Sequence, residues 1–413
     1  MRLLHTSDWH LGKLTGGVSR RPDHECVHRE IVVIAREFAP DLIVHSGDLF
    51  DASMPAVEDM RLGIEMLDEL AAIAPVVVLC GNHENPKLFA LFQRLRGADR
   101  LRFVHKPRRP SDGGILEFPA RGGRERIRLA ALPFVRSSIY LDEFGDPAQW
   151  TSVYGDNIAR IESIYAAALA DGDLAHDVAI FSAHLHVTGA VLARSERTVH
   201  IDDFATRPEA IPPVSYAAFG HIHKPQQIGG RNWARYAGSP IPIDFGELDE
   251  LKSVVLVEAS PGTNAQVRVA ELSGGRPLRR ARGTLDGLAA QADELAGGLV
   301  RVTVEAACAV GTYDRVAQIL SRSVLVGFDV LDPARHVEAV EPGASSVEAA
   351  LPELFGSYLA EHGADDANNR RIVELFTDAA QALKLERPLT FAELVESQTD
   401  CGDEGALSAI EVR

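Results

Sequence analysis

An α/β fold, with two layers of strands and helices flanking them, is what this sequence predicts. Three observations carry the expectation. Short apolar runs recur at Arg2–Thr6, Leu42–His45, Val76–Cys80, Val178–Ser182 and Tyr216–Phe219. Runs this short and this uniformly apolar fit strands buried on both faces. The stretches between them repeat apolar residues at helical spacing, and strands alternating with helices read as α/β. Each run also ends in residues that carry chemistry: Ser7-Asp8-Trp9-His10, Ser46-Gly47-Asp48, Gly81-Asn82-His83-Glu84, Ala183-His184 and Gly220-His221-Ile222-His223.

After the first strand, Gly12–Glu25 is polar and contains glycine, with Lys13, Arg20 and Arg21. It predicts a long loop beside Asp8 and His10, and such loops are usually functional or mobile. His28–Phe38 places Ile31, Ile34, Ala35 and Phe38 at helical spacing and stops at Pro40, which makes the opening a β–α–β unit. Asp51–Ala74, with Met60, Ile64, Leu67 and Leu70, predicts a second helix ended by Pro75, and Pro86–Leu95 a third. Their Met, Leu and Phe side chains serve equally as ordinary core or as a face for a second copy.

Leu101–Val104, Gly114–Glu117 and Ile127–Leu132 read as strands and hairpins around Gly113-Gly114 and Gly122-Gly123. Ile139–Trp150 reads as a polar connection, Val153–Leu169 as an amphipathic helix and Arg194–Ala210 as a charged insertion. Trp233–Tyr236 and Val254–Val257 predict closing antiparallel strands. Beyond Ser260 the pattern becomes a small β–α–β–α–β module: Pro277–Arg282, Thr284–Leu295, Leu299–Ala306, Thr312–Ser321 and Val324–Leu331. Ser273-Gly274-Gly275 marks its boundary. Ser345–Ala360 and Asn369–Leu383 follow as two amphipathic helices, with Leu351, Leu354, Phe355 and Tyr358 among their apolar residues. They would dock on a partner or on the preceding module. The expected domains are residues 1–272, 273–342 and 343–413, the last ending in an acidic tail.

Composition bounds the class. With 46% hydrophobic and 24% charged residues, the chain fits an ordinary soluble globular protein. No run is long enough to span a membrane, and a strand starting at once leaves no room for a signal peptide. Cys26, Cys80, Cys308 and Cys401 form no C-x-x-C pair and read as reduced cytoplasmic thiols, with Cys80 and Cys308 in the core. The net charge of −17 argues against a polyanionic partner until it is located. Asp329–Arg413 holds 18 acidic and 6 basic residues, whereas Arg94–Arg136 holds 12 basic and 4 acidic. That basic stretch could grip a phosphate backbone or form a solvated face.

Asp8, His10, Asp48, Asn82, His184, His221 and His223 are seven candidate metal ligands at the ends of five strands. The expectation is one site built from loops on one edge of a sheet. Seven ligands are too many for one ion and suit two, with Asp48 between them and Gly47 clearing space beside it. Two divalent ions roughly 4 Å apart clamp both oxygens of an in-line phosphoryl displacement and acidify bound water. Oxygen and imidazole ligands without thiolate favour Mn, Fe or Zn over Ca. The chain carries no nucleotide-binding glycine loop of its own.

In this order the pieces D-x-H, G-D, G-N-H-[DE], H and G-H-x-H resemble the calcineurin-like metallophosphoesterases. A narrower resemblance is to the SbcD family, the nuclease subunits of bacterial SbcCD complexes. It is carried by Met1–Gly12, by Gly220–Gln226, and by Arg235–Pro242 with Phe245-Gly246-Glu247 after it. It implies that Asp8, His10, Asp48 and His223 hold one ion and that Asp48, Asn82, His184 and His221 hold the other. His83 would be the catalytic residue, a general acid or phosphate-orienting group that binds no metal. The resemblance further implies Mn²⁺ as the metal (with Mg²⁺, Fe²⁺ or Zn²⁺ as alternatives), DNA as substrate and an SbcC-type coiled-coil ATPase as partner. A homodimer through the second and third helices, within a heterotetramer, and a cytoplasmic site of action at the nucleoid also follow from it. The alternatives are a phosphatase or cyclic-nucleotide phosphodiesterase on the same fold, and a DNA-end tethering subunit with an idle nuclease. Glu84 stands where Asp is frequent and is one methylene longer, so if it orients His83 it would hold it differently; His186 would lie behind the site or at the surface, and His5 and His45 would support it.

Overall fold

The computed structural model describes residues 1–97, 100–135, 154–192, 205–306 and 311–331. The chain divides into two compact units, Met1–Ala334 and Arg335–Arg413, and every described residue belongs to the first. The helices expected at Ser345–Ala360 and Asn369–Leu383, the connection Ile139–Trp150, Cys308, Cys401 and most of the Arg194–Ala210 insertion therefore lie outside the described residues.

Two six-stranded sheets form the body. The first runs in the order Gln266–Glu271, Ser253–Glu258, Arg2–Thr6, Leu42–His45, Val76–Leu79, Leu101–Val104. Its last four strands are parallel, and Ser253–Glu258 closes antiparallel onto Arg2–Thr6. The second runs Gln226–Ile228, Arg231–Tyr236, Tyr216–Gly220, Asp177–His184, Glu125–Leu132, Ile115–Ala120, and its central four strands are parallel. Trp233–Tyr236 and Val254–Val257 thus belong to different sheets rather than to one closing pair.

The uniform apolarity of the strands has a direct cause: both faces are buried, so alternate residues enter different cores. Leu3, Leu42, Val44, Val77 and Leu79 meet Ile127, Leu129, Val178, Ile180, Tyr216 and Ala218 between the sheets. Leu4, Ile43, Val76 and Val78 point the other way, under helices Arg21–Phe38, Val57–Ile73 and Pro86–Arg96. On the far side, Leu132, Phe181, Ala217 and Phe219 pack with Ile158, Ile161 and Tyr165 of helix Tyr154–Ala170. At ~1.5–3 kcal/mol for each large apolar side chain withdrawn from water, these cores fix strand register and with it the loops at the strand ends.

A third sheet of three parallel strands, Leu278–Gly283, Leu299–Glu305 and Val324–Leu331, carries helices Leu285–Leu295 and Thr312–Ile319. Ala281, Leu288, Val300, Val302 and Val316 give it a core of its own. Thr284 caps the first of these helices by accepting from the Gly287 amide. No helix among the described residues is long and apolar enough to cross a membrane.

Two expectations are corrected. The loop expected at Gly12–Glu25 is a short hairpin, Leu14–Thr15 with Val18–Ser19, and helix Arg21–Phe38 begins well before His28. Pro22 opens that helix, while its first turn buries Asp23 and His24. Buried charge there hides the apolar periodicity that would have shown the helix. Strand Gln266–Glu271 escapes sequence reading because it is a mostly exposed edge of alternating charge and small apolar residues.

Candidate metal centre

The five chemical segments converge where the C-terminal ends of strands from both sheets meet. Asp8, His10, Asp48 and Asn82 follow Arg2–Thr6, Leu42–His45 and Val76–Leu79 of the first sheet, whereas His184, His221 and His223 close Asp177–His184 and Tyr216–Gly220 of the second. The site is thus shared between two sheets, not built on the edge of one. Backbone bonds lace the loops together: Asp8 N donates to Gly47 O at 2.9 Å and His10 N to Asp48 O at 3.0 Å. The His221 amide donates to Asp8 Oδ1 at 3.0 Å, binding the second sheet to the first.

Candidate ligand atoms fall into overlapping groups, each within 4.8 Å: Asp8, His10 and His223; Asp48, His184 and His221; and His10, Asp48 and His83. Asn82 joins the second, its Oδ1 lying 2.9 Å from His184 Nε2 and 2.8 Å from His221 Nδ1. Asp48 Oδ2 lies 3.3 Å from His184 Nε2 and 3.6 Å from His10 Nε2, so one carboxylate reaches toward both groups. All seven candidate ligands and His83 therefore meet in one place. Each group has a buried floor and one partly exposed member.

The backbone is strained here. Six non-glycine residues among those described have a positive φ, and four of them are Asp8, His10, Asp48 and His221. Such conformations cost about 1–3 kcal/mol each and persist where the surroundings enforce them. Close approach demands glycine alongside: a Cβ on Gly47 would overlap Nδ1 of His184, and one on Gly81 would overlap Oδ1 of Asp48.

The donor set fits cations. Asp8 has no exposed surface, and burial pushes its carboxyl up to about 6 despite the nearby His184; a carboxylate so placed lacks positive charge. His184 is drawn the other way: burial would lower it, but the charge of Asp48 and their hydrogen bond raise it to about 9. Nε2 of His10 is buried without a hydrogen-bond partner among the described residues, 3.6 Å from Asp48 Oδ2. Its Nδ1 is held by Asp51 Oδ1 at 3.2 Å, as His223 Nδ1 is by Glu247 Oε1 at 3.0 Å and His184 Nδ1 by Ser46 O at 2.8 Å. With Nδ1 donating outward, the rings of His10 and His223 turn the lone pair of Nε2 inward, the arrangement imidazole ligands need, and His184 would do so once a cation displaced the proton that Asp48 holds there. Carboxylate, carboxamide and imidazole donors without thiolate suit Mn, Fe or Zn.

Two contributors, Asp51 and Phe134, are not evident from sequence, whereas His186, His5 and His45 lie where it placed them. Asp51 holds His10 by its carboxylate and His83 by its carbonyl, which accepts from His83 Nδ1 at 2.9 Å. Phe134 stacks on His221 at 6.3 Å between ring centroids and meets His184 edge-on at 6.2 Å. His186 is buried, its ring 6.3 Å from that of His221, so it lies behind the site rather than at the surface. His5 Nε2 bonds Ser46 Oγ at 2.7 Å and its Nδ1 bonds Tyr216 OH at 2.9 Å, while Nδ1 of His45 accepts from the Gly47 amide at 3.3 Å. Both rings brace the loops.

Glu84 bonds to backbone amides of two of the loops. Its carboxylate accepts from the amides of Gly81 at 2.6 Å and Phe50 at 2.9 Å, stitching two ligand loops together. Burial, then the charge of Asp48, pushes it up to about 8. Glu84→Ala would strand two buried N–H groups at ~1–3 kcal/mol each. Urea unfolding of the metal-free variant should show a loss of about 2–6 kcal/mol; a change below about 1 kcal/mol would mean the loops hold without it.

Comparison with known proteins agrees with this geometry. The calcineurin-like phosphoesterase family matches residues 1–225. The SbcD polypeptide of the SbcCD nuclease from Bacillus subtilis is 32% identical over 287 residues, covering 67% of this chain and 71% of that protein. Its namesake from Escherichia coli K12 is 28% identical over 403 residues, covering 93% and 98%. That of Rhodobacter capsulatus is 31% identical over 285 residues, covering 63% and 67%. Matched along its first half by the family and along nearly its whole length by a curated relative, the chain belongs to the calcineurin-like phosphoesterases and, among them, to the SbcD family.

Proposed function

We propose that this chain is a metal-dependent nuclease subunit of an SbcCD-type complex, hydrolysing DNA phosphodiesters at duplex ends, hairpins and single strands. The carrying observation is the convergence of Asp8, His10, Asp48, Asn82, His184, His221 and His223 on a backbone strained at four of those positions. Asp8, His10, Asp48 and His223 would hold one divalent ion, and Asp48, Asn82, His184 and His221 a second. The resemblance to the SbcD family points to Mn²⁺, one of the three metals that the oxygen–imidazole set suits. When bound, such a pair supplies an activated water and neutralises charge on the phosphoryl oxygens.

The protein's own groups do the rest. Asp51 fixes His10 and His83 together, Ser46 fixes His184, and Phe134 covers the His184–His221 side. His83, anchored through Nδ1, keeps Nε2 for a proton exchanged with the leaving oxygen. Many basic residues of the Arg94–Arg136 stretch are committed to ion pairs: Arg96 with Asp68, Arg126 with Asp177 and Arg128 with Glu117. Lys106, Arg108 and Arg109 line a surface recess with Asp112, a place where a phosphate backbone could be met.

The names of the relatives make them subunits of SbcCD complexes, which supports an SbcC-type ATPase partner here. Val57, Leu91 and Leu95 are exposed on the second and third helices, with Met54 exposed in the loop before the second, and they support pairing of two copies there. Residues 273–342 would form a cap and 343–413 the partner-binding region, with action in the cytoplasm.

The test is digestion of end-labelled duplex DNA in Mn²⁺, with and without the ATPase partner and ATP, beside hydrolysis of bis(p-nitrophenyl) phosphate. Mn²⁺-dependent degradation of the duplex is expected. Turnover of the small ester with intact DNA under every condition would return the chain to the small-molecule phosphodiesterases.

A further inference from the structure

We infer that Glu247 is a positioning residue for metal binding: it fixes His223 as the tautomer whose Nε2 is open to a cation. The inference rests on the two-metal reading above and adds a residue outside the ligand set. Glu247 ends a short turn, Phe245–Glu247, which Asp244 caps by accepting from the Gly246 amide. Its side chain has no exposed surface.

The two carboxylate oxygens have different tasks. Oε1 accepts from His223 Nδ1 at 3.0 Å. Oε2 accepts from Lys252 Nζ at 2.8 Å, from the Ile243 amide at 3.2 Å and from Ser239 Oγ at 3.3 Å. The neighbours grip the same residue from behind, since Lys252 Nζ and the Ser239 amide both donate to the carbonyl of His223, at 3.1 and 3.0 Å. His223 is thus held by ring and by backbone. A buried carboxylate and ammonium are expensive to desolvate and seldom justify themselves by stability alone. What this pair secures is orientation.

The chemistry calls for a carboxylate rather than an amide. A carboxylate accepts at both oxygens, so it takes Nδ1–H of His223 on one side and three donors on the other. A glutamine has one acceptor. Its oxygen would be claimed by the ammonium, amide and hydroxyl, turning its NH₂ toward His223. Nδ1 would then have to accept, the ring proton would move to Nε2, and the cation would lose its lone pair.

The experiment is calorimetric titration of metal-stripped wild type and Glu247→Gln with Mn²⁺. Lys252 retains Glu250 as a counter-charge at 2.8 Å, so the variant is expected to fold. Wild type should take two equivalents; the variant should take one at unchanged affinity and the second about 10–100-fold more weakly. Two unchanged equivalents, with or without a lower melting temperature, would overturn the inference and leave the metal reading standing. A wild type that takes no Mn²⁺ would overturn both. Should the variant not fold, ¹⁵N-histidine spectra of the metal-free wild type decide, with His223 assigned from the spectrum of His223→Gln. The proton is expected on Nδ1, and a proton on Nε2 alone would refute the inference.

Discussion

Asp48→Asn should lower kcat on duplex DNA by about four orders of magnitude, some 5–6 kcal/mol of barrier at about 1.36 kcal/mol per decade. The substitution keeps shape and can keep the bond that Asp48 Oδ1 accepts from the His83 amide at 3.1 Å. What it removes is the negative charge on Oδ2, which faces His184 Nε2 at 3.3 Å and His10 Nε2 at 3.6 Å. A carboxylate shared between two cations screens their mutual repulsion as well as binding each, so its loss should weaken both sites together. The check combines kcat in Mn²⁺ with the number of metal equivalents bound. Two equivalents at wild-type affinity, with activity within tenfold of wild type, would show that Asp48 bridges nothing.

The candidate ligand residues were legible because strand ends are legible. An apolar run such as Leu42–His45 has both faces buried, so it shows as a block, and the polar residues that close it stand out. Five such blocks fixed the order of the pieces, and the spacing within Gly220-His221-Ile222-His223 did the rest. Which sheet each strand joins was not legible. Tyr216–Gly220 and Arg2–Thr6 look alike in sequence, yet they lie in different sheets, because pairing is decided by packing between distant segments.

Buried polar networks were hidden for the same reason. Arg20 and Asp23 read as loop charges but bond each other at 2.6 Å, and Asp23 also holds Arg276, 253 residues away, at 2.8 Å. Nothing local in Gly12–Glu25 announces a partner from beyond Ser273-Gly274-Gly275. Glu247 stands in a recognisable segment, yet its task depends on His223 and Lys252 arriving from either side. Nothing in Gly81-Asn82-His83-Glu84 announces that the Glu84 carboxylate accepts from the amides of Phe50 and Gly81.

His83→Ser should separate proton transfer from metal binding. His83 is grouped with His10 and Asp48 within 4.8 Å, so geometry alone admits it as a ligand; the ring of His10 meets it edge-on at 4.7 Å between centroids. Its hydrogen bonding leaves Nε2 available for either role, as at His10, and its exposure favours proton transfer. Nδ1 faces the carbonyl of Asp51 at 2.9 Å, and a carbonyl only accepts, so Nδ1 keeps its proton and Nε2 is the atom that exchanges. The ring is partly exposed, unlike those of His10 and His184, which suits a group that meets substrate. A general acid or base contributes about 10²–10⁴ in rate, so kcat should fall by that factor while Mn²⁺ stoichiometry and DNA affinity stay close to wild type. A lost metal equivalent would make His83 a ligand instead, and unimpaired cleavage would remove it from the chemistry altogether. The serine cannot reach the Asp51 carbonyl as imidazole does, so the same variant also checks Asp51 through His10. If His10 remains bonded to Asp51 Oδ1, the metal titration is unaltered and the rate defect belongs to His83 alone.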